Sequence, residues 1–133
     1  DVKMDIGSAM PLKVERETVV RGRDLATGLP KSIKISSIEI RDALMNTINQ
    51  IITVIAEVLE ETPPELLSDI LGRGVTLAGG GALIRGLDQK ISEETKMPVW
   101  IADDPLTAVV RGTGRVLDDL DLLARVKVVG GLR

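Results

Sequence analysis

The apolar positions of the chain change period twice, and each change marks a different kind of element. VKMDI alternates at the start, with Val2, Met4 and Ile6 on one side and Lys3 and Asp5 on the other. That is the period of a half-buried strand. Gly7 to Pro11 breaks the run, and LKVERETVVRG follows, β-branched towards its end. DLATGLPK, with Gly28 and Pro30, reads as a turn, and KSIKIS resumes alternation with Ile33 and Ile35 on one side. The pattern predicts a small antiparallel hairpin or sheet before Ser36. Arg21, Arg23 and Lys31 gather around its turn, where a solvated loop is favoured over an anion or partner site.

At Ser36 the period becomes helical. Ser36-Ser37-Ile38-Glu39 matches a capping box, in which a hydroxyl and a carboxylate satisfy each other's free amides. Leu44, Ile48, Ile51, Ile52, Ile55, Val58 and Leu59 then recur at helix spacing as far as about Glu61, where Thr62-Pro63-Pro64 ends the run. Thr62 is expected to cap a second helix, ELLSDIL, with Pro63 at its first position, Glu65 completing another box and Gly72 at its end.

From Gly74 onward strand and helix patterns alternate. VTLA predicts a strand, GGG a turn and ALIRGLDQKISEETK a helix. PVWIA predicts a second strand, Asp103-Asp104-Pro105 a cap, and LTAVVRGTGRVLDDLDLLARV a long helix before the frayed tail KVVGGLR. Short connections between such elements argue for an α/β fold with parallel strands covered by helices.

Composition narrows the chemistry. Of 133 residues 44% are apolar, yet there is no Phe or Tyr and one Trp, so the core must be aliphatic. The length suits one domain, or a small subdomain beside a larger one. Cys and His are both absent, which removes disulfides, thiolate nucleophiles, the usual zinc sites and imidazole bases. The lack of Cys leans towards an intracellular protein. A net charge of −3, scattered basic residues and no stacking aromatics argue against nucleic acid as a partner. No signal pattern appears, and no apolar run approaches the ~18 residues of a membrane span. The chain begins with Asp1 inside the expected first strand, which points to an internal piece of a longer protein.

The stretch VTLAGGGALIRGLDQ, Val75 to Gln89, carries the most chemistry. A helix start presents unpaired amides and the positive end of a dipole, and glycines let an anion or nucleotide approach the backbone. GGGALIRG lacks the Lys-Ser/Thr of a Walker A loop and does not match G-x-G-x-x-G. A ligand-free strand-to-helix turn is an equal reading of the spacing. Asp103-Asp104 before Pro105 fits a helix cap better than a metal pair, and Asp118, Asp119 and Asp121 fit a solvated face. Gly112 and Gly114 cost their helix ~1 kcal/mol each, for which close packing is the expected reason. No nucleophile and base can be paired, so no catalytic residue and no metal ligand is expected.

Three strings in this order, VRGRDLATGLPKSIKISSIEIRDAL, TPPELLSDILGRGVTLAGGGALIRGLD and ADDPLTAVVRGTG, resemble the MreB family of bacterial actin homologues, which organise cell shape. The resemblance runs from about Lys3 to Leu123. It implies an actin-like (ribonuclease H-like) ATPase fold, of which this chain is the C-terminal part of the second lobe. Residues 1–36 would be the remainder of subdomain IIB and residues 37–133 subdomain IIA. Carried onto this chain, Gly79, Gly80 and Gly81 would lie against the adenosine and phosphates of a nucleotide, with Ala82 and Leu83 lining the site.

The family's two phosphate loops, its acidic magnesium and water-positioning residues and its membrane-binding segment would precede this region. Its adenine-contacting helix would end just before Asp1. ATP with magnesium is therefore implied for the intact parent, and this chain alone is expected neither to hydrolyse ATP nor to bind it tightly. The implied partners are further copies in a filament, IIA of one meeting IIB of the next, and a RodZ-like membrane protein on subdomain IIA. Exposed aliphatics between Ser37 and Glu61 are candidates for such contacts, and the implied location is the cytoplasm at the inner face of the membrane. An autonomous nucleotide-sensing or protein-interaction module is the alternative, and an enzyme of the sugar kinase branch a third.

Overall fold

The computed structural model describes residues 2–119, 121 and 124. It opens with a helix where the alternation predicted a strand: α1 is Val2–Ile6, five residues long. The Gly7 amide donates to the Lys3 carbonyl at 2.9 Å and closes the turn. A Cβ on Gly7 would collide with that same oxygen, so only glycine fits there. The alternation misled because Ile6 is buried while Met4 is exposed. Two-faced burial, which gives a strand its period, is missing.

The hairpin forms as predicted. β1 (Glu17–Arg23) pairs antiparallel with β2 (Pro30–Ser36), and Thr18 faces Ile35 while Val20 faces Ile33. Its turn is closed by its own polar groups: Asp24 Oδ1 accepts from the Ala26 amide at 2.8 Å, and Gly28 adopts φ +71°. Two of the three clustered cations serve this turn, as Arg23 Nε donates to the Gly28 carbonyl at 2.7 Å and Lys31 pairs with Asp24 at 2.9 Å.

α2 spans Ser37–Glu61, and both halves of the expected capping box are present. The Ser36 amide donates to Glu39 Oε2 at 2.8 Å and the Glu39 amide to Ser36 Oγ at 3.2 Å. Its buried stripe is Ile48 and Ile52. Thr62 does not cap the next helix. Its hydroxyl turns back and donates to the Val58 carbonyl at 2.7 Å, so α3 (Pro64–Arg73) starts from Pro63 with no side-chain cap. α3 ends at Gly74, where φ is +80°.

β3 (Val75–Leu77) and β4 (Val99–Ile101) are parallel, as the alternation predicted, with Thr76 opposite Trp100. Between them the chain departs from expectation. The helix expected from Ala82 begins only at Leu87: α4 is Leu87–Thr95, entered through Gly86 at φ +73°. Gly80–Leu83 form one 3₁₀ turn, Ile84 is extended, and Arg85 makes a parallel bridge to Ser8. α5 is Ala108–Asp118, with Thr107 and not Asp103-Asp104 at its N-cap position and no side-chain cap. The aspartates precede it in a turn, where Asp104 accepts from the Thr107 hydroxyl and the Asp103 carbonyl from the Arg111 guanidinium. The remainder of the expected last helix lies largely, and the tail KVVGGLR wholly, outside the described residues.

The core is aliphatic throughout: Ala9, Ile48, Ile52, Leu87 and Ile91, with Leu44, Ile55, Leu77, Ile84 and Val99 packed against it. It joins α2, α4 and both parallel strands to the segment after α1. α5 buries no residue among those described, and Cβ atoms on Gly112 or Gly114 would meet nothing within 4 Å. Close packing therefore does not explain these glycines here. Among the described residues no helix is long and apolar enough to cross a membrane.

Candidate nucleotide cavity

The glycine turn opens onto a cavity of about 420 Å³ lined by Lys3, Met4, Gly80, Leu83, Ile84 and Leu106. Three parts of the chain far apart in sequence make its walls. α1 supplies Lys3 and Met4, the turn after β3 supplies the glycine backbone and two aliphatics, and the loop before α5 supplies Leu106.

The backbone geometry explains the three glycines. Gly79 sits at φ +82°, a region that costs other residues roughly 1–2 kcal/mol. Its amide donates to the Pro105 carbonyl at 2.7 Å, which ties the turn to the loop carrying Leu106. A Cβ on Gly80 would stand 3.6 Å from Leu106 Cδ2, an ordinary contact. In front of Gly79 and Gly81 there is open space, with nothing within 4 Å of a Cβ placed on either. Another molecule can therefore lie against this backbone. A helical start leaves its first amides without intrahelical partners, so the turn offers donors as well as room.

α1 is held against the turn by Arg85. Its Nη1 donates to the Asp5 carbonyl at 2.6 Å, and its own carbonyl accepts from the Ala9 amide at 2.8 Å. The segment after α1 is fixed on its other side by a polar cluster. Arg41 Nη1 donates to Glu15 Oε1 at 3.0 Å and reaches Ser8 Oγ at 3.5 Å. Ser37 Oγ donates to Glu15 Oε2 and accepts from the Arg16 amide at 2.9 Å. Ser8 and Ser37 are fully buried. The Ser37 hydroxyl first, then Arg41, hold the Glu15 carboxyl below its ordinary pKa.

Of the five residues that the resemblance singled out, the structure places Gly80 and Leu83 on the cavity wall and Gly79 and Gly81 beside it in the same turn. Ala82 is buried beneath the turn, at 3% exposure, where it supports the wall without forming its surface. Lys3, Met4, Ile84 and Leu106 were not expected at this site. Lys3 was hidden because its segment read as a strand, and Leu106 because its loop read as the start of a helix. The lining is largely apolar and carries one cation. That suits a flat ring system with an electron-rich edge or an anionic substituent near Lys3. The lining holds no nucleophile, and no group of metal-ligating side chains occurs among the described residues.

The profile of the MreB/Mbl protein family matches residues 1–125. The chain is 43% identical over 128 residues to the cell shape-determining protein Mbl of Bacillus subtilis, covering 96% of this chain and 38% of that protein. It is 48% identical over 121 residues to the cell shape-determining protein MreB of Escherichia coli K12, covering 91% and 35%. The crystal structure of MreB5 of Spiroplasma citri bound to ADP superposes with a TM-score of 0.86 at 41% identity, over 95% of this chain and 38% of that one. The same protein bound to AMPPNP gives 0.85 at 42% identity, over 93% and 37%. This chain thus spans well under half the length of the relatives it matches. With its actin-like α/β fold, it belongs to the MreB/Mbl family.

Proposed function

We propose that this chain is the part of an actin-like cytoskeletal ATPase that forms the adenosine side of its nucleotide cleft. The observation that carries the reading is the cavity walled by Gly80 and Leu83 of the glycine turn and by Lys3, with uncrowded backbone at Gly79 and Gly81 beside it. The ADP and AMPPNP bound by the similar MreB5 structures support it. Gly79, Gly80 and Gly81 give the backbone surface, Leu83 an apolar contact, and Ala82 the support beneath. ATP with magnesium is the ligand of the whole protein. In this reading the ligands of the metal come from the rest of the parent. The chain alone does not hydrolyse ATP.

In this reading residues 1–36 are the end of subdomain IIB and residues 37–133 form subdomain IIA. The parent polymerises into membrane-associated filaments that organise cell-wall synthesis and rod shape, in the cytoplasm at the inner face of the membrane. A RodZ-like membrane protein docks on subdomain IIA.

The charge distribution supports head-to-tail self-association. Residues 13–36 carry six basic side chains against three acidic ones, with Leu25 and Leu29 exposed at the hairpin tip. The far end of α2 and α3 carries Glu57, Glu60, Glu61, Glu65 and Asp69 against Arg73, with Val58 and Leu66 exposed. Between them in the chain runs α2, 25 residues and about 37 Å long. A contact between two unlike, complementary patches is heterologous, the kind that propagates head to tail.

The test is ATP binding and ATP-dependent sedimentation of the full-length protein. Arg21→Glu and Glu65→Lys should each reduce pelleting, and the double variant should recover it. A full-length protein with no measurable ATP affinity sinks the nucleotide reading. Single variants that pellet as well as wild type sink the proposed contact.

A further inference from the structure

The two walls of the cavity belong to parts of the chain about 80 residues apart, and one side chain crosses between them. Arg85 leaves the glycine-turn wall just after Ile84 and donates to the Asp5 carbonyl at 2.6 Å, at the end of the helix that presents Lys3 and Met4. We infer that Arg85 is a positioning residue for the ligand: it sets the distance between the α1 wall and the glycine-turn wall. The inference rests on the nucleotide reading above and adds to it the group that fixes the spacing.

Three observations make Arg85 a staple and not an incidental surface contact. Its main chain is held to the same segment as its side chain. The parallel bridge to Ser8 and the Ala9 amide on the Arg85 carbonyl, at 2.8 Å, anchor it beyond α1, while the guanidinium anchors it on α1 itself. The anchoring surface cannot yield, since Ile6, Ser8 and Ala9 are each at most 1% exposed. The next residue is equally constrained. Gly86 sits at φ +73°, and a Cβ there would stand 2.9 Å from the Met10 Cβ, so the chain passes Met10 at one separation only.

With the backbone fixed on both sides, the remaining freedom is a tilt of α1 towards or away from the turn. The Asp5 carbonyl lies in the last turn of α1, where carbonyls lack intrahelical partners. A charge-assisted bond to one of them is stronger than a neutral one and opposes that tilt. A ring lying between Met4 and Leu83 would feel the tilt as a change in gap width. Arg85 touches no ligand in this scheme; it acts through α1.

The experiment is ADP binding by calorimetry on the full-length protein, comparing wild type with Arg85→Met, Arg85→Gln and Arg85→Lys, with thermal melting of each without nucleotide. Arg85→Met and Arg85→Gln remove the donor that reaches Asp5 and should weaken ADP about fivefold, the size of one such bond. Arg85→Lys retains a donor and should recover most of that loss. The melting temperatures without nucleotide should fall by a few degrees at most, the loss of one exposed hydrogen bond. Gln is the second variant should Met fail to fold. ADP affinity within twofold of wild type in the Met or Gln variant overturns the inference. So does an Arg85→Lys variant as weak as Arg85→Met, because the role would then be bulk packing. Wild-type protein that binds no ADP removes the nucleotide reading itself, and the inference with it.

Discussion

Gly81→Ala should move stability and binding in opposite directions. Gly81 lies inside the 3₁₀ turn Gly80–Leu83 and is not among the glycines with positive φ, so alanine can take its backbone conformation without strain. A Cβ there meets nothing within 4 Å. With no clash and fewer unfolded conformations, the nucleotide-free protein should gain about 0.4–1 kcal/mol. The same methyl group adds bulk to the glycine backbone beside the cavity wall, the surface proposed to lie against the ligand. Losing that approach should cost on the order of tenfold in ATP affinity, about 1.4 kcal/mol. Urea unfolding without nucleotide reads the first effect, and calorimetric titration of the full-length protein reads the second. Gly79→Ala is the control, since φ +82° makes it destabilising by roughly 1–2 kcal/mol in equally open space. Unchanged ATP affinity in Gly81→Ala would refute the placing of the ligand on this face. A loss of stability would refute the geometry of the turn.

Two further outcomes test the frame around the site. Gly74→Ala puts a Cβ 2.6 Å from Trp100 Nε1 and 2.7 Å from the Pro98 carbonyl, at φ +80°. Backbone strain plus the displaced indole bond to Arg73 should cost about 2–3 kcal/mol, followed in urea by the fluorescence of Trp100, the one tryptophan; a cost below about 1 kcal/mol counts against it. Glu15 titrates below its ordinary value because the Ser37 hydroxyl and then Arg41 favour its charged form. A depressed folded pKa stabilises above the unfolded value, about 4.3, and that stability is lost as pH falls through the folded value. The melting temperature of wild type should therefore drop more steeply below about pH 4.3 than that of Glu15→Gln, and parallel curves would deny the carboxylate this role.

What the sequence made legible was local. The Ser36–Glu39 box and the Ile48–Ile52 stripe define α2 within a few residues of one another, so short-range pattern suffices. The same holds for β1 and β2, whose turn residues Asp24 and Gly28 announce the hairpin. The glycine turn could be located, but its continuation could not. Ala82-Leu83-Ile84 has a helical pattern, yet the pairing of Arg85 with Ser8 holds Ile84 extended and delays α4 to Leu87. That partner lies far away in sequence. Lys3 was missed for a related reason: five residues are too few to separate a strand period from one helical turn, and burial of Ile6 alone decides between them. Thr62 shows a competition the pattern cannot settle, as its hydroxyl can serve the helix before it or the one after it. The resemblance named the glycine side of the cavity, and only the folded chain brought the opposite wall to it.

The spacing of those walls along the chain has a consequence for biosynthesis. The glycine turn leaves the ribosome about 80 residues after Lys3 and Met4, and Leu106 later still. Closing a loop of that length costs roughly 4 kcal/mol of chain entropy, which the buried contacts of Ile6, Ser8 and Ala9 must offset before the bridge to Arg85 can form. A nascent chain arrested before the glycine turn has the first wall and no cavity. The cavity is therefore complete only once translation has passed this loop.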